Sequence, residues 1–152
     1  MKNQIKSILK EYTKVTAIKE STLDIIAEKI EKNLLIKQSL EAKFWKFVEK
    51  AGWLNDQNYT RINKKFKSLS KEEQKELSDA FNKFHEDLYD EYKKDWIGTP
   101  GIEVSDDGWS DLRAEVIGRG KNFYDNISAE QLREMALNRD YKESFSYCFH
   151  SL

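Results

Sequence analysis

The run Ser70-Lys71-Glu72-Glu73, followed by Leu77, Phe81, Phe84, Leu88 and Tyr92, leaves this chain few choices of architecture. Steps of four, three, four and four place five large apolar side chains on one face of an α-helix, whereas a half-buried strand would alternate. Ser70 and Glu73 have capping-box spacing: the serine oxygen accepts from the amide three residues on, and the glutamate reaches back to the serine amide. The same period recurs elsewhere. With one proline and six glycines in 152 residues, and 35% of them charged, little interrupts it. The expectation is an all-α fold, a compact multi-helix domain of about seven to eight helices.

Ile5, Ile8, Leu9 and Tyr12 share one helical face, and Leu23, Ile26, Ala27, Ile30 and Leu34 share another after the Ser21/Thr22 cap signal. These predict an antiparallel hairpin over 1–38. A third helix is predicted from Ser39, with Leu40, Phe44, Phe47, Val48 and Ala51 inward and Gly52 as its stop. Tyr59, Ile62, Phe66 and Leu69 form a further stripe. The long helix opened by Ser70 ends before Gly98-Thr99-Pro100-Gly101, where proline removes a donor and biases its predecessor away from helix. Ser105 or Asp106 then caps a helix with Trp109, Leu112, Val116, Ile117 and Gly120 inward. Ser128 and Gln131 repeat the capping-box spacing ahead of Leu132, Met135 and Ala136, and the tail, Tyr141, Phe145, Cys148 and Phe149, is apolar enough to dock. A chain of this length reads as one domain, 1–152, with the hairpin at 1–38, a core region at 39–127 and C-terminal helices at 128–152.

The single cysteine, Cys148, permits no internal disulfide, and it reads as a buried thiol. No window approaches the ~20 apolar residues of a membrane span, and the N-terminus lacks a signal-peptide core. We therefore expect a cytoplasmic protein, a monomer or weak dimer, with no membrane association. A net charge of −1 conceals an asymmetry: residues 1–67 hold 15 Lys/Arg against 8 Asp/Glu, net +7, and residues 68–152 hold 11 against 19, net −8. The extreme is 86–115, ten acids against three bases, net −7. Such a block speaks to partners. The basic half has scattered lysines and one arginine, Arg61, a pattern unlike the arginine clusters that clamp nucleic acid, so no nucleic-acid partner is expected.

No catalytic constellation passes a spacing test. A calcium loop with Gly108 at its sixth position needs a closing glutamate at the twelfth, where Ala114 stands. Gly118-Arg119-Gly120-Lys121 has one residue between its glycines where a phosphate loop needs four. Asp107, Asp111 and Glu115, at i, i+4 and i+8, stack on one helical face and with Asp106 could hold a divalent ion, but the same acids also suit a positive helix N-terminus. His85, beside the long apolar stripe, reads as a structural hydrogen-bonder. Cys148 and His150 turn about 200° from each other on a helix, unsuited to a nucleophile and base. Arg113 borders the buried face and is expected to make an ion pair or carbonyl contact. Trp45, between Phe44 and Phe47, puts one of these rings outward or between layers, and Trp53 and Trp96 sit at helix ends, where an amphipathic ring can anchor an interface.

Phe44-Trp45, Leu69-Ser70 with Glu72/Glu73, and Ser105-Asp106-Asp107-Gly108-Trp109 with Leu112, Arg113, Val116, Ile117, Gly120 and Tyr124 carry a resemblance. The chain resembles, over about 43–127, a family of small uncharacterised bacterial proteins known as a domain of unknown function. Leu112 stands where that pattern usually has an aromatic, and Glu115 where a large apolar residue is common. The resemblance implies a helical fold and no chemistry. From the residues themselves, the expected function is that of a bacterial immunity protein, non-enzymatic and without cofactor. It would neutralise a basic toxin such as a nuclease through an acidic surface of Asp87, Asp90, Glu91, Asp95, Trp96, Asp106, Asp107, Asp111 and Glu115. The alternatives are a metal-assisted hydrolase at Asp106, Asp107, Asp111 and Glu115, and a regulatory or scaffold protein of unknown partner.

Overall fold

A computed structural model describes residues 1–12, 19–53, 59–96 and 104–149. The chain is all-α: the described residues form seven α-helices and one 3₁₀ helix, with no strand. In order they are α1 (Lys2–Tyr12), α2 (Glu20–Ala51), α3 (Tyr59–Lys67), α4 (Lys71–Trp96), α5 (Asp106–Gly118), α6 (Lys121–Asn126), α7 (Ala129–Asn138) and the 3₁₀ segment η1 (Glu143–Cys148). The turn expected at 98–101 lies outside the described residues.

No new helix starts at Ser39. α2 runs unbroken through that position for 32 residues. Neither glycine nor proline occurs between Glu20 and Ala51, so a change in which face is apolar has nothing to convert it into a break. The chain divides into two compact units, Met1–Glu41 and Ala42–Leu152, and the division falls within α2.

The first unit is a two-helix hairpin. The Lys2 ammonium meets Glu28, the Lys2 amide donates to Glu31 Oε1 at 3.1 Å, and Lys6 Nζ lies 2.8 Å from Asp24 Oδ1. Rising numbers on α1 against falling numbers on α2 make the pair antiparallel. α1 therefore begins level with Glu28 and Glu31, and Lys32–Ser39 extend past it, exposed at every position. Among the described residues of this unit, Leu23 and Ala27 are the buried hydrophobics.

The second unit holds the core. From the end of α2 come Phe44, Trp45, Val48 and Ala51; from α3, Ile62 and Phe66; from α4, Leu77, Phe81, Phe84 and Leu88. Gly52 ends α2 at φ 66°, its amide donating to Val48 O and Glu49 O at 3.2 and 3.1 Å. The positive φ favours a residue without Cβ. Both capping boxes are closed: Ser70 with Glu73, and Ser128 with Gln131. Trp45 and Trp53 are core residues, 7% and 1% exposed, so neither serves as an outward anchor. The tail docks as expected. Phe149 stacks on Phe81 with ring centroids 4.6 Å apart, and it also meets Phe44 and Phe66.

Candidate functional site

α5 carries the closing part of the acidic block 86–115, and it is the most enclosed helix of the second unit. α4, α6, α7 and η1 all pack against it. Ser105 caps it, its side chain accepting from the Gly108 amide at 3.1 Å. Asp106 and Asp107 follow in the first turn, both exposed, where the helix dipole stabilises anions by ~0.3–1 kcal/mol each. Beyond Ser110 every residue through Gly118 is buried, whatever its polarity.

This overturns two of the expected site residues. Asp111 is 8% exposed and Glu115 is 0% exposed, so neither belongs to a contact surface. Glu115 Oε2 accepts from Trp53 Nε1 at 2.9 Å, and Oε1 accepts from Arg119 Nε at 3.2 Å. Arg119 in turn donates to the Asp140 carbonyl at 3.0 Å and pairs with its carboxylate at 2.9 Å. The glutamate occupying an apolar position is thus an internal acceptor for an indole and a guanidinium, which is how a buried carboxylate escapes most of its desolvation cost. Burial alone would pull the Arg119 pKa down, but its bonds to Asp140 and Glu115 hold it above the ordinary value. Gly118 leaves room for the same tryptophan: a Cβ there would sit 2.6 Å from Trp53 Cδ1.

The four-carboxylate metal cluster is not assembled. Asp106 and Asp107 face solvent at the helix start while Asp111 and Glu115 turn into the interior. Among the described residues no group of three or more His, Cys, Asp or Glu side chains is placed to hold a metal ion.

The other chemically interesting groups are likewise engaged in packing. His85 Nε2 lies 2.9 Å from Ser110 O, joining α4 to α5 as the structural role predicts. Arg113 Nη1 donates to the His85 carbonyl at 2.7 Å, and its guanidinium sits 5.7 Å from the Trp109 ring centre. Burial lowers the Arg113 pKa to about 10 against the raising influence of Glu86. Cys148 is fully buried, and desolvation pushes its pKa up to about 12, far from a reactive thiolate.

Of the expected acidic surface, Asp87 is exposed on α4 and lies 3.9 Å from Lys83; Asp106 and Asp107 are exposed on α5. The side chains of Asp90, Glu91, Asp95 and Trp96 fall outside the described residues. Glu86, exposed beside Asp87, joins the candidate set. Its signal was already present in the local charge count.

The family model "Protein of unknown function (DUF4240)" matches residues 40–148. The chain belongs to the DUF4240 family. No curated protein and no solved structure matches it. The DUF4240 match takes in the whole of the 43–127 segment and extends through α7 and η1. Within it, the residues that carried the resemblance have structural employment. Ser105 caps; a Cβ on Gly108 would stand 3.0 Å from the Tyr141 hydroxyl; Gly120 holds φ 96°; Tyr124 donates to the Phe84 carbonyl at 3.3 Å and packs on Trp45. No described helix is long and apolar enough to cross a membrane.

Proposed function

We propose that this protein acts by binding another protein, as a bacterial immunity protein that neutralises a basic toxin of nuclease type. The supporting observation is the exposure of Glu86 and Asp87 on α4 and of Asp106 and Asp107 on α5, two helices that pack on each other. The buried polar groups Arg113 and Glu115 and the half-buried His85 and Arg119 of the same region are engaged in holding elements together. Exposed carboxylates on neighbouring helices attract a basic nucleic-acid cleft and speed association with it. With Asp111 and Glu115 withdrawn into the core, the contact on α5 is confined to its first turn.

The test is co-expression with the product of the adjacent reading frame. A stoichiometric, salt-sensitive complex, relief of that product's toxicity, and slower association after Asp106→Lys with Asp107→Lys are the expected results. The reading fails if no basic toxin co-purifies and no neighbour's toxicity is relieved.

A further inference from the structure

α1 is held to α2 by charge more than by packing. Its face toward α2 is Lys2, Ile5, Lys6 and Leu9, the i, i+3, i+4 and i+7 positions of one helical stripe. The two apolar members are half-buried, and α2 buries Leu23 and Ala27 opposite them. The lysines carry the cross-links: the Lys2 ammonium to Glu28, the Lys2 amide to Glu31, and Lys6 to Asp24. α1 has 11 residues and no acidic side chain in its first turn, and isolated helices shorter than about 12–15 residues are marginal in water. Its helicity therefore depends on docking.

The carboxylates that hold it are open to solvent. The Asp24 and Glu28 side chains are 44% and 66% exposed, and ion pairs in that setting weaken as salt rises. We propose that α1 is a releasable strap, undocking from α2 while the core of the second unit stays closed, with ionic strength setting the balance. What its release uncovers is apolar. Leu23, Ile26, Ala27 and Ile30 form one stripe of α2, the first and third buried and the others half-buried under the closed strap. Leu34, 38% exposed, continues the stripe past the start of α1. Release therefore lengthens an apolar track that is already open at one end.

The test is amide hydrogen exchange on the full chain at neutral pH, in low salt and in about 0.5 M salt. In low salt the α1 amides are expected to exchange at least ~100-fold faster than those of α4 and α5, yet slower than an unstructured chain. Salt is expected to speed them about 5-fold and to leave α4 and α5 unchanged. Asp24→Asn combined with Glu28→Gln should give the faster exchange already in low salt and remove most of the response to salt. Asp79→Asn, which breaks the exposed Lys75–Asp79 pair on α4, should alter neither. In Ala27→Cys the new thiol reports the uncovered stripe directly: a soluble disulfide reagent should label it far faster than the buried Cys148, and faster still in high salt. The proposal is overturned by α1 amides as slow as those of α4, or by α1 amides without protection in low salt. It is equally overturned by exchange that ignores both salt and the double substitution, or by an Ala27→Cys thiol labelled no faster than Cys148.

Discussion

The two halves of α2 are one continuous helix under different obligations. Between Ala42 and Ala51 it buries Phe44, Trp45, Val48 and Ala51, whereas between Glu20 and Glu41 it buries Leu23 and Ala27 and leaves Ile25, Leu34, Leu35 and Ile36 exposed. A helix can therefore persist through a stretch that supplies little packing, because backbone propagation needs only good helix formers and the absence of a breaker. What packing decides is which half the stability rests on.

The most severe way to probe that difference is Phe44→Ala. Removing a fully buried ring that touches Trp45, Phe84 and Phe149 should cost about 3–5 kcal/mol, read by urea denaturation. Glu115→Ala comes next at about 3 kcal/mol, since it strands Trp53 Nε1 in the core while Arg119 keeps Asp140. If Glu115→Ala were neutral, the enclosed character of α5 would be wrong.

Alkali probes the same core through Cys148. Its folded pKa, about 12, lies above the ordinary thiol value near 9, so the native state retains the proton longer than the unfolded state. Its contribution is intact below pH 9 and declines as pH rises from 9 toward 12, and Cys148→Ala should flatten that part of a stability profile. Ser128→Ala, which opens one capping box, should cost about 1 kcal/mol. The smallest effect is expected in the other half of α2: Leu35→Ala, in dilute protein, should fall within ~0.5 kcal/mol. A larger loss there would erase the contrast between the halves.

Much of the second unit was legible in the residues. The stripe Leu77, Phe81, Phe84 and Leu88, the two capping boxes, the stop at Gly52, the docking of Phe145 and Phe149, and the carbonyl contact of Arg113 follow from periodicity and local hydrogen-bond chemistry. Two things did not follow, for separable reasons. Serine at position 39 resembled a start signal because the apolar face shifts there, yet a phase shift is not a breaker. Asp111 and Glu115 looked like solvent-facing acids because a helical period assumes one wet side. α5 has neighbours on all sides, and the partners that make Glu115 tolerable, Trp53 and Arg119 with Asp140, lie 62 residues before it and up to 25 residues after it. Only the i,i+4 step from Glu115 to Arg119 is a local pattern; none links either of them to Trp53 or Asp140. The candidate acidic surface was legible as charge but not as geometry.

Phe149 has a further consequence, one of timing. It is in contact with rings from α2, α3 and α4, while Phe145 packs on Trp53, so the aromatic cluster is finished by almost the last described residues. During synthesis the rings of Phe44, Phe66 and Phe81 emerge long before the residues that cover them. Until translation has passed residue 149 and released that segment from the ribosome, the nascent domain must carry an open core, and it is over that interval that a chaperone would find it.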